Sequence, residues 1–106
     1  MSATLDDLAR RVEQVSDLYA ERCKIRRDDD WYALKLAEEA GELTAEYLRS
    51  SGRGRVADAS PEALRAALED EAADLFAQLL LFCRHNSIDM EAALARKWFR
   101  YLDHAR

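Results

Sequence analysis

Proline and glycine are scarce in this chain, with one Pro and three Gly among 106 residues. Sheet proteins draw on both for their turns. Their scarcity, beside an abundance of Ala, Leu, Glu and Arg, predicts an all-α fold. Aromatics make up only 8% while charged residues reach 35%, which points the same way. Cysteine is limited to Cys23 and Cys83, far apart and without ligand spacing, so neither a disulfide framework nor a thiolate metal site is expected. Both thiols are expected to be reduced and buried. No apolar run is long enough to span a membrane and no secretory leader is recognisable, which makes a soluble cytoplasmic protein the expectation. Positive charge is not in excess: the formal net charge is −5, which argues against binding a nucleic-acid polymer. An acidic protein still binds polyphosphates when metal ions neutralise its carboxylates. The length fits a single domain spanning residues 1–106, and a core this modest favours self-association.

What is present is helical periodicity. Leu5, Leu8, Val12, Val15 and Tyr19 recur at steps of three and four and predict a first helix from about Thr4 to Arg26. Asp28, Asp29 and Asp30 offer N-cap acceptors for a second, from about Trp31 to Ser50. Residues 51–55, Ser-Gly-Arg-Gly-Arg, break the pattern as a loop. Ser60-Pro61-Glu62 supplies a cap, a Pro at the first helical position and an acid in the first turn. The third helix it starts should reach about His85. After Asn86-Ser87, a fourth runs from about Asp89 to His104. Four helices with short connections suggest a four-helix-bundle-like domain. Between Leu75 and Cys83 the third helix is apolar nearly all round its axis. Cover by a second copy of the chain is the expected explanation, giving a homo-oligomer.

Two acidic clusters interrupt these helices: Glu38-Glu39-Ala40-Gly41-Glu42 on the second and Glu71-Ala72-Ala73-Asp74 on the third. In each, two carboxylates three residues apart fall on one face, one turn apart. Two such pairs on facing helices bring four hard oxygen donors to one point, a set suited to Mg²⁺, with Mn²⁺ as a substitute. On the second helix a plainer account competes. Lys35, Glu39, Glu42, Glu46 and Arg49 share a polar stripe and would form ordinary surface ion pairs. On the third helix Glu71 lies on the same side as Leu64, Leu68, Leu75 and Phe82. A carboxylate inside an apolar stripe is costly unless paired or bound to metal. Gly41, Ala40, Ala72 and Ala73 are expected to let the two helices approach closely.

The chemistry implied is phosphoanhydride hydrolysis. A cation held by Glu39, Glu42, Glu71 and Asp74 would clamp phosphates and lower the pKa of a bound water. Glu38 is placed to orient a ligand or accept the water's proton, or else to face solvent. Lys35, one turn before Glu39, is a candidate phosphate contact, or simply an ion-pair partner of Glu39.

At these residues the chain resembles the MazG-like nucleotide pyrophosphohydrolases, a branch of the all-α NTP pyrophosphatases. That family carries EExxE on one helix and ExxD on the next. The corresponding residues here are Glu38, Glu39 and Glu42, then Glu71 and Asp74, and the resemblance extends over about Trp31 to Tyr101. It implies Mg²⁺-dependent cleavage of a nucleoside triphosphate to the monophosphate and pyrophosphate. Glu39, Glu42, Glu71 and Asp74 would be the metal ligands. It further implies a homodimer or dimer of dimers and, in many members, removal of non-standard or surplus deoxynucleotides. Lys97-Trp98-Phe99-Arg100-Tyr101 resembles the basic-aromatic stretch that follows ExxD in the family. Lys97 and Arg100 are therefore candidate phosphate contacts, though basic residues opposing a helix dipole explain them equally. Trp31 is a candidate for stacking on a base, and Arg53 and Arg55 for closing over phosphates. The Asn of deoxycytidine-type relatives has no counterpart between Lys97 and Tyr101.

The nearest rival is a phosphoribosyl-ATP pyrophosphohydrolase of histidine synthesis, whose motifs the chain also resembles. Asp28-Asp29-Asp30-Trp31-Tyr32 stands where that family has a Ser-Tyr-Thr-type stretch. A di-iron bundle is disfavoured because neither His85 nor His104 follows a Glu by three residues. An inactive helical interaction module is the rival of another class; both acidic pairs being complete argues against it.

Overall fold

A computed structural model describes residues 3–54 and 59–104. The protein is all-α, with no strand among the described residues. Helix α1 spans Ala3–Cys23, α2 Asp29–Ser50 and α3 Pro61–His85. The last helical stretch consists of α4 (Met90–Leu94), a π-helical turn (Ala95–Phe99) and α5 (Arg100–His104).

The helices begin where side-chain acceptors stand. The Asp28 carboxylate accepts from the Trp31 N–H at 2.9 Å and opens α2. Ser60 Oγ accepts from the Ala63 N–H at 3.1 Å, and Asp89 from the Ala92 N–H at 3.2 Å. The ends share one device. Lys24, Gly52 and Ser87 each adopt a positive φ, of 54°, 84° and 55°. In each case the next N–H reaches back to a carbonyl of the last turn: Ile25 to Ala20, Arg53 to Leu48 and Ile88 to Cys83. These are Schellman closures. Helix α1 therefore stops three residues short of Arg26, because Lys24 takes the left-handed conformation that Gly usually takes.

The chain divides into two compact units, one made of residues 1–25 and 80–106 and the other of residues 26–79, with α3 running from one into the other. In the first, Ala9, Ala20, Leu80, Leu81 and Cys83 form the buried core. Arg84 ties the end of α3 to α1 through Glu13 (2.9 Å) and Asp6 (3.5 Å). Within the apolar run of α3, Leu80, Leu81 and Cys83 are thus buried inside a single chain, whereas Phe76 stays about half exposed. Cys83 meets the expectation of a buried thiol; Cys23, in the last turn of α1, is exposed.

The fourth helix runs from Met90 to His104, as expected, with a π turn at Ala95–Phe99 inside it. The π turn adds one residue to the repeat and so rotates everything after it by roughly 100° about the axis. Met90, Glu91 and Ala93 are partly buried, whereas residues 94–103, the π turn among them, are exposed.

The second unit pairs α2 with the first five turns of α3. At the end of α2, Ser50 Oγ lies 3.5 Å from the Leu64 carbonyl in the first turns of α3. Within the loop, Gly54 packs so closely on Arg49 that a Cβ there would meet its Cγ at 3.0 Å and its Cα at 3.1 Å.

Candidate metal centre

Helix α2 carries Glu39 and Glu42 and helix α3 carries Glu71 and Asp74, all within the second unit. One carboxylate oxygen from each of the four lies within 4.8 Å of the others. The i, i+3 spacing on each helix sets this up, since it stacks each pair on one face, and the two faces meet.

The burial is unequal. Glu39 is only 7% exposed, and Glu71 is partly buried. Glu42 and Asp74 reach the surface. Glu39 Oε2 and Glu71 Oε2 are both buried with no hydrogen-bond partner. Burial pushes the Glu39 carboxyl above the usual glutamate range; Glu42 and Asp74 push it the same way and Lys35 opposes them. Burial also raises Glu71, reinforced by Glu42, Asp74 and Glu46. Four carboxylates at this spacing repel one another, and one oxygen of each inner carboxylate lacks a donor. A hard divalent cation supplies what is missing: positive charge and empty coordination sites for oxygen. The donor set therefore fits Mg²⁺ or Mn²⁺.

Two members of the polar stripe of α2 turn inward. Glu39 and Glu46, two turns apart, are the buried residues of that helix. Glu46 is held by Arg49, whose Nη1 donates to both of its oxygens at 2.9 Å. Ion pairs expected at the surface thus do form, but at a partly buried face. Spacing arguments centred on pairs three residues apart pass over Glu46, although its place seven residues after Glu39 marks the same face. Gln78 is also passed over. It lies seven residues after Glu71, and its buried Oε1 has no partner.

The small residues do not serve close approach. A Cβ on Gly41 would meet nothing within 4 Å, and Ala40, Ala72 and Ala73 are exposed. They sit on faces turned away from the carboxylates.

Lys35 Nζ bridges Glu38 at 3.2 Å and Glu39 at 3.7 Å. Burial works against its charge, yet the two carboxylates outweigh burial and raise its pKa. Glu38 is exposed and is not among the four converging acids. Trp31, partly buried in the first turn of α2, packs edge-on against Tyr32 with ring centroids 4.9 Å apart. Arg53 lies over the Tyr47 ring at 5.6 Å. Arg55 falls outside the described residues. Lys97 lies exposed in the π turn and Arg100 just after it, both in the first unit. Arg100 stacks over Tyr101 at 4.8 Å and donates to its hydroxyl at 2.9 Å.

Comparison of the chain with known protein families, with curated proteins and with solved structures finds no match.

Proposed function

We propose that the protein is a Mg²⁺-dependent nucleoside triphosphate pyrophosphohydrolase. It would cleave the α–β phosphoanhydride of a (d)NTP to give the monophosphate and pyrophosphate, and so cleanse the nucleotide pool. The observation that carries this reading is the convergence of Glu39, Glu42, Glu71 and Asp74 within 4.8 Å, with two buried oxygens left without donors. The resemblance of the two acidic motifs, carried by the same residues, points the same way.

In this reading the four acids hold the cation. Bound there, it would neutralise triphosphate charge and lower the pKa of a water. The chain's own groups do the rest. Lys35, kept charged by Glu38 and Glu39, offers an ammonium to a phosphate oxygen. Glu38, beside Glu39 yet outside the ligand set, accepts the proton of the attacking water. Pyrophosphate leaves in line with the attack. Lys97 and Arg100 are candidate phosphate contacts, and Trp31 a candidate base contact. A homodimer or dimer of dimers belongs to the same proposal. The large apolar side chains left exposed, among them Leu34 at 67% and Trp98 at 66%, are the surface it would cover.

The test is pyrophosphate release from a panel of standard and damaged NTPs and dNTPs, together with phosphoribosyl-ATP, with and without Mg²⁺. Release from NTPs or dNTPs that requires Mg²⁺, and falls by about 100-fold or more in Glu39→Gln and Glu71→Gln, is the expected result. Release from phosphoribosyl-ATP alone would move the protein to the histidine pathway. No release from any substrate would leave a binding module.

A further inference from the structure

Gln78 is the remaining orphan of the second unit. Among the described residues, the buried side-chain atoms without a partner are Glu39 Oε2, Glu71 Oε2 and Gln78 Oε1. The first two belong to the carboxylate cluster. The third does not, and a neutral amide oxygen needs a hydrogen-bond donor rather than a cation. A buried acceptor left without a donor is destabilising, so its retention calls for an explanation.

Its position follows from the helix. Gln78 is seven residues after Glu71 and four after Asp74, which puts it on their face of α3, one turn and about 6 Å further along the axis. The pairing of the helices continues the same way. Asp74 acts electrostatically on Glu39, and Glu42 on Glu71. Stepping one turn outward from the Glu39–Asp74 level leads to Lys35 on α2 and Gln78 on α3. Gln78 is thus an uncharged polar group one turn from acids that would meet a nucleotide's phosphates, within reach of the rest of that nucleotide.

We propose that Gln78 is a specificity-determining residue whose side-chain carbonyl accepts a hydrogen bond from the nucleoside half of the substrate, either a sugar hydroxyl or a base N–H. The inference rests on the pyrophosphohydrolase reading. Service as a fifth metal ligand is the weaker use of this oxygen. The four carboxylates already gather at one point, and Mg²⁺ completes its shell with waters and phosphate oxygens.

The experiment is a substrate-by-variant cycle on the full chain. Wild type and Gln78→Met, of similar volume but without the acceptor, are assayed with Mg²⁺ on 2′-deoxy and 2′,3′-dideoxy triphosphates. A second series holds the sugar fixed and removes N–H groups from the base. For the donor that Gln78 reads, Gln78→Met should lower kcat/KM by about tenfold. For the analogue lacking that donor, the two proteins should be equal, and the Mg²⁺ concentration for half-maximal rate should not move. The sugar series and the base series tell the two sources apart. Equal discrimination by wild type and variant overturns the inference while leaving the enzyme reading intact, as does a shift in Mg²⁺ requirement without altered discrimination. Should Gln78→Met fail to fold, the wild-type series still decides: indifference to every donor removed overturns the proposal. A wild type with no Mg²⁺-dependent release from any nucleotide overturns the enzyme reading itself, and the inference with it.

Discussion

The two units bury opposite kinds of residue. In the unit built from α1, the end of α3 and the C-terminal helical stretch, the buried residues are Ala9, Ala20, Leu80, Leu81 and Cys83. In the unit built from α2 and the first part of α3, they are Glu39 and Glu46. Apolar burial stabilises by removing hydrocarbon from water. Carboxylate burial does the reverse unless a partner compensates. Glu46 has Arg49 as that partner. Glu39 has only the distant edge of Lys35 against two neighbouring acids, Glu42 and Asp74. The first unit thus gains from what it buries, whereas the second buries a carboxylate that is only partly compensated.

The sharpest break of this contrast uses one substitution in each unit. Leu80→Ala, at a site 4% exposed, should destabilise the protein by about 2–5 kcal/mol in denaturant unfolding. A cost below about 1 kcal/mol would mean the first unit is not the folding core. Next in size is the metal itself. Mg²⁺ at 100 times its dissociation constant should stabilise the wild type by about 2.7 kcal/mol, read as a higher Tm. The Glu39→Gln/Glu71→Gln double variant should show little of that rise. Equal stabilisation of both proteins would place the cation elsewhere.

Glu39→Gln alone should act in the opposite direction to Leu80→Ala when metal is absent. It removes a buried charge facing Glu42 and Asp74, while Lys35 keeps Glu38 as its nearer partner. A gain on the order of 1 kcal/mol would raise the metal-free Tm by about 4–8 °C in a domain this size. The pH dependence has a fixed sign. Glu39 and Glu71 titrate above their ordinary value in the folded state, so the folded protein binds more protons than the unfolded one. Their stabilising contribution is complete below the ordinary glutamate value of 4.5 and is lost as pH rises through the raised values. Metal-free Tm should therefore fall across that window, and less steeply in Glu39→Gln. Asp89, held low first by its bond from the Ala92 N–H, works the other way, but below the ordinary aspartate value.

How much of this was legible in the sequence differs between starts and ends, and between charge and burial. Helix starts could be read because Asp28, Ser60 and Asp89 carry their acceptors in their side chains. The end of α3 at His85 was legible too, from Asn86-Ser87, but the end of α1 was not, because Lys24 occupies a position where Gly is the usual marker. The π turn, whose residues Ala95–Phe99 are all exposed, has no local sequence signal. Glu39, Glu42, Glu71 and Asp74 were legible from their spacing together with the place of Glu71 in an apolar stripe and the resemblance of the two motifs. That Glu46 is buried was not, since a stripe of alternating acid and base reads the same whether it faces solvent or a second helix. Gln78 carried a faint signal, a polar residue on the apolar side of α3 in line with Glu71. The small residues misled because size alone does not say which face of a helix they occupy, and Gly41 faces open space.

The smallest effect tests the charged side of the first unit. Arg84 is itself partly buried, its Nε donating to Glu13 at 2.9 Å and its Nη1 lying 3.5 Å from Asp6. Those carboxylates are roughly half exposed, at 44% and 48%. Here, unlike at Glu39, each acid meets a cation and solvent completes the compensation. Arg84→Met should cost only about 0.2–1 kcal/mol, the range of ion pairs with solvent access, and the cost should shrink with added salt. A loss comparable with that of Leu80→Ala would show that the first unit depends on a charge network as much as on its apolar core. Buried charge would then be a property of the whole chain, and Glu39 would lose its standing as the exception that marks a site.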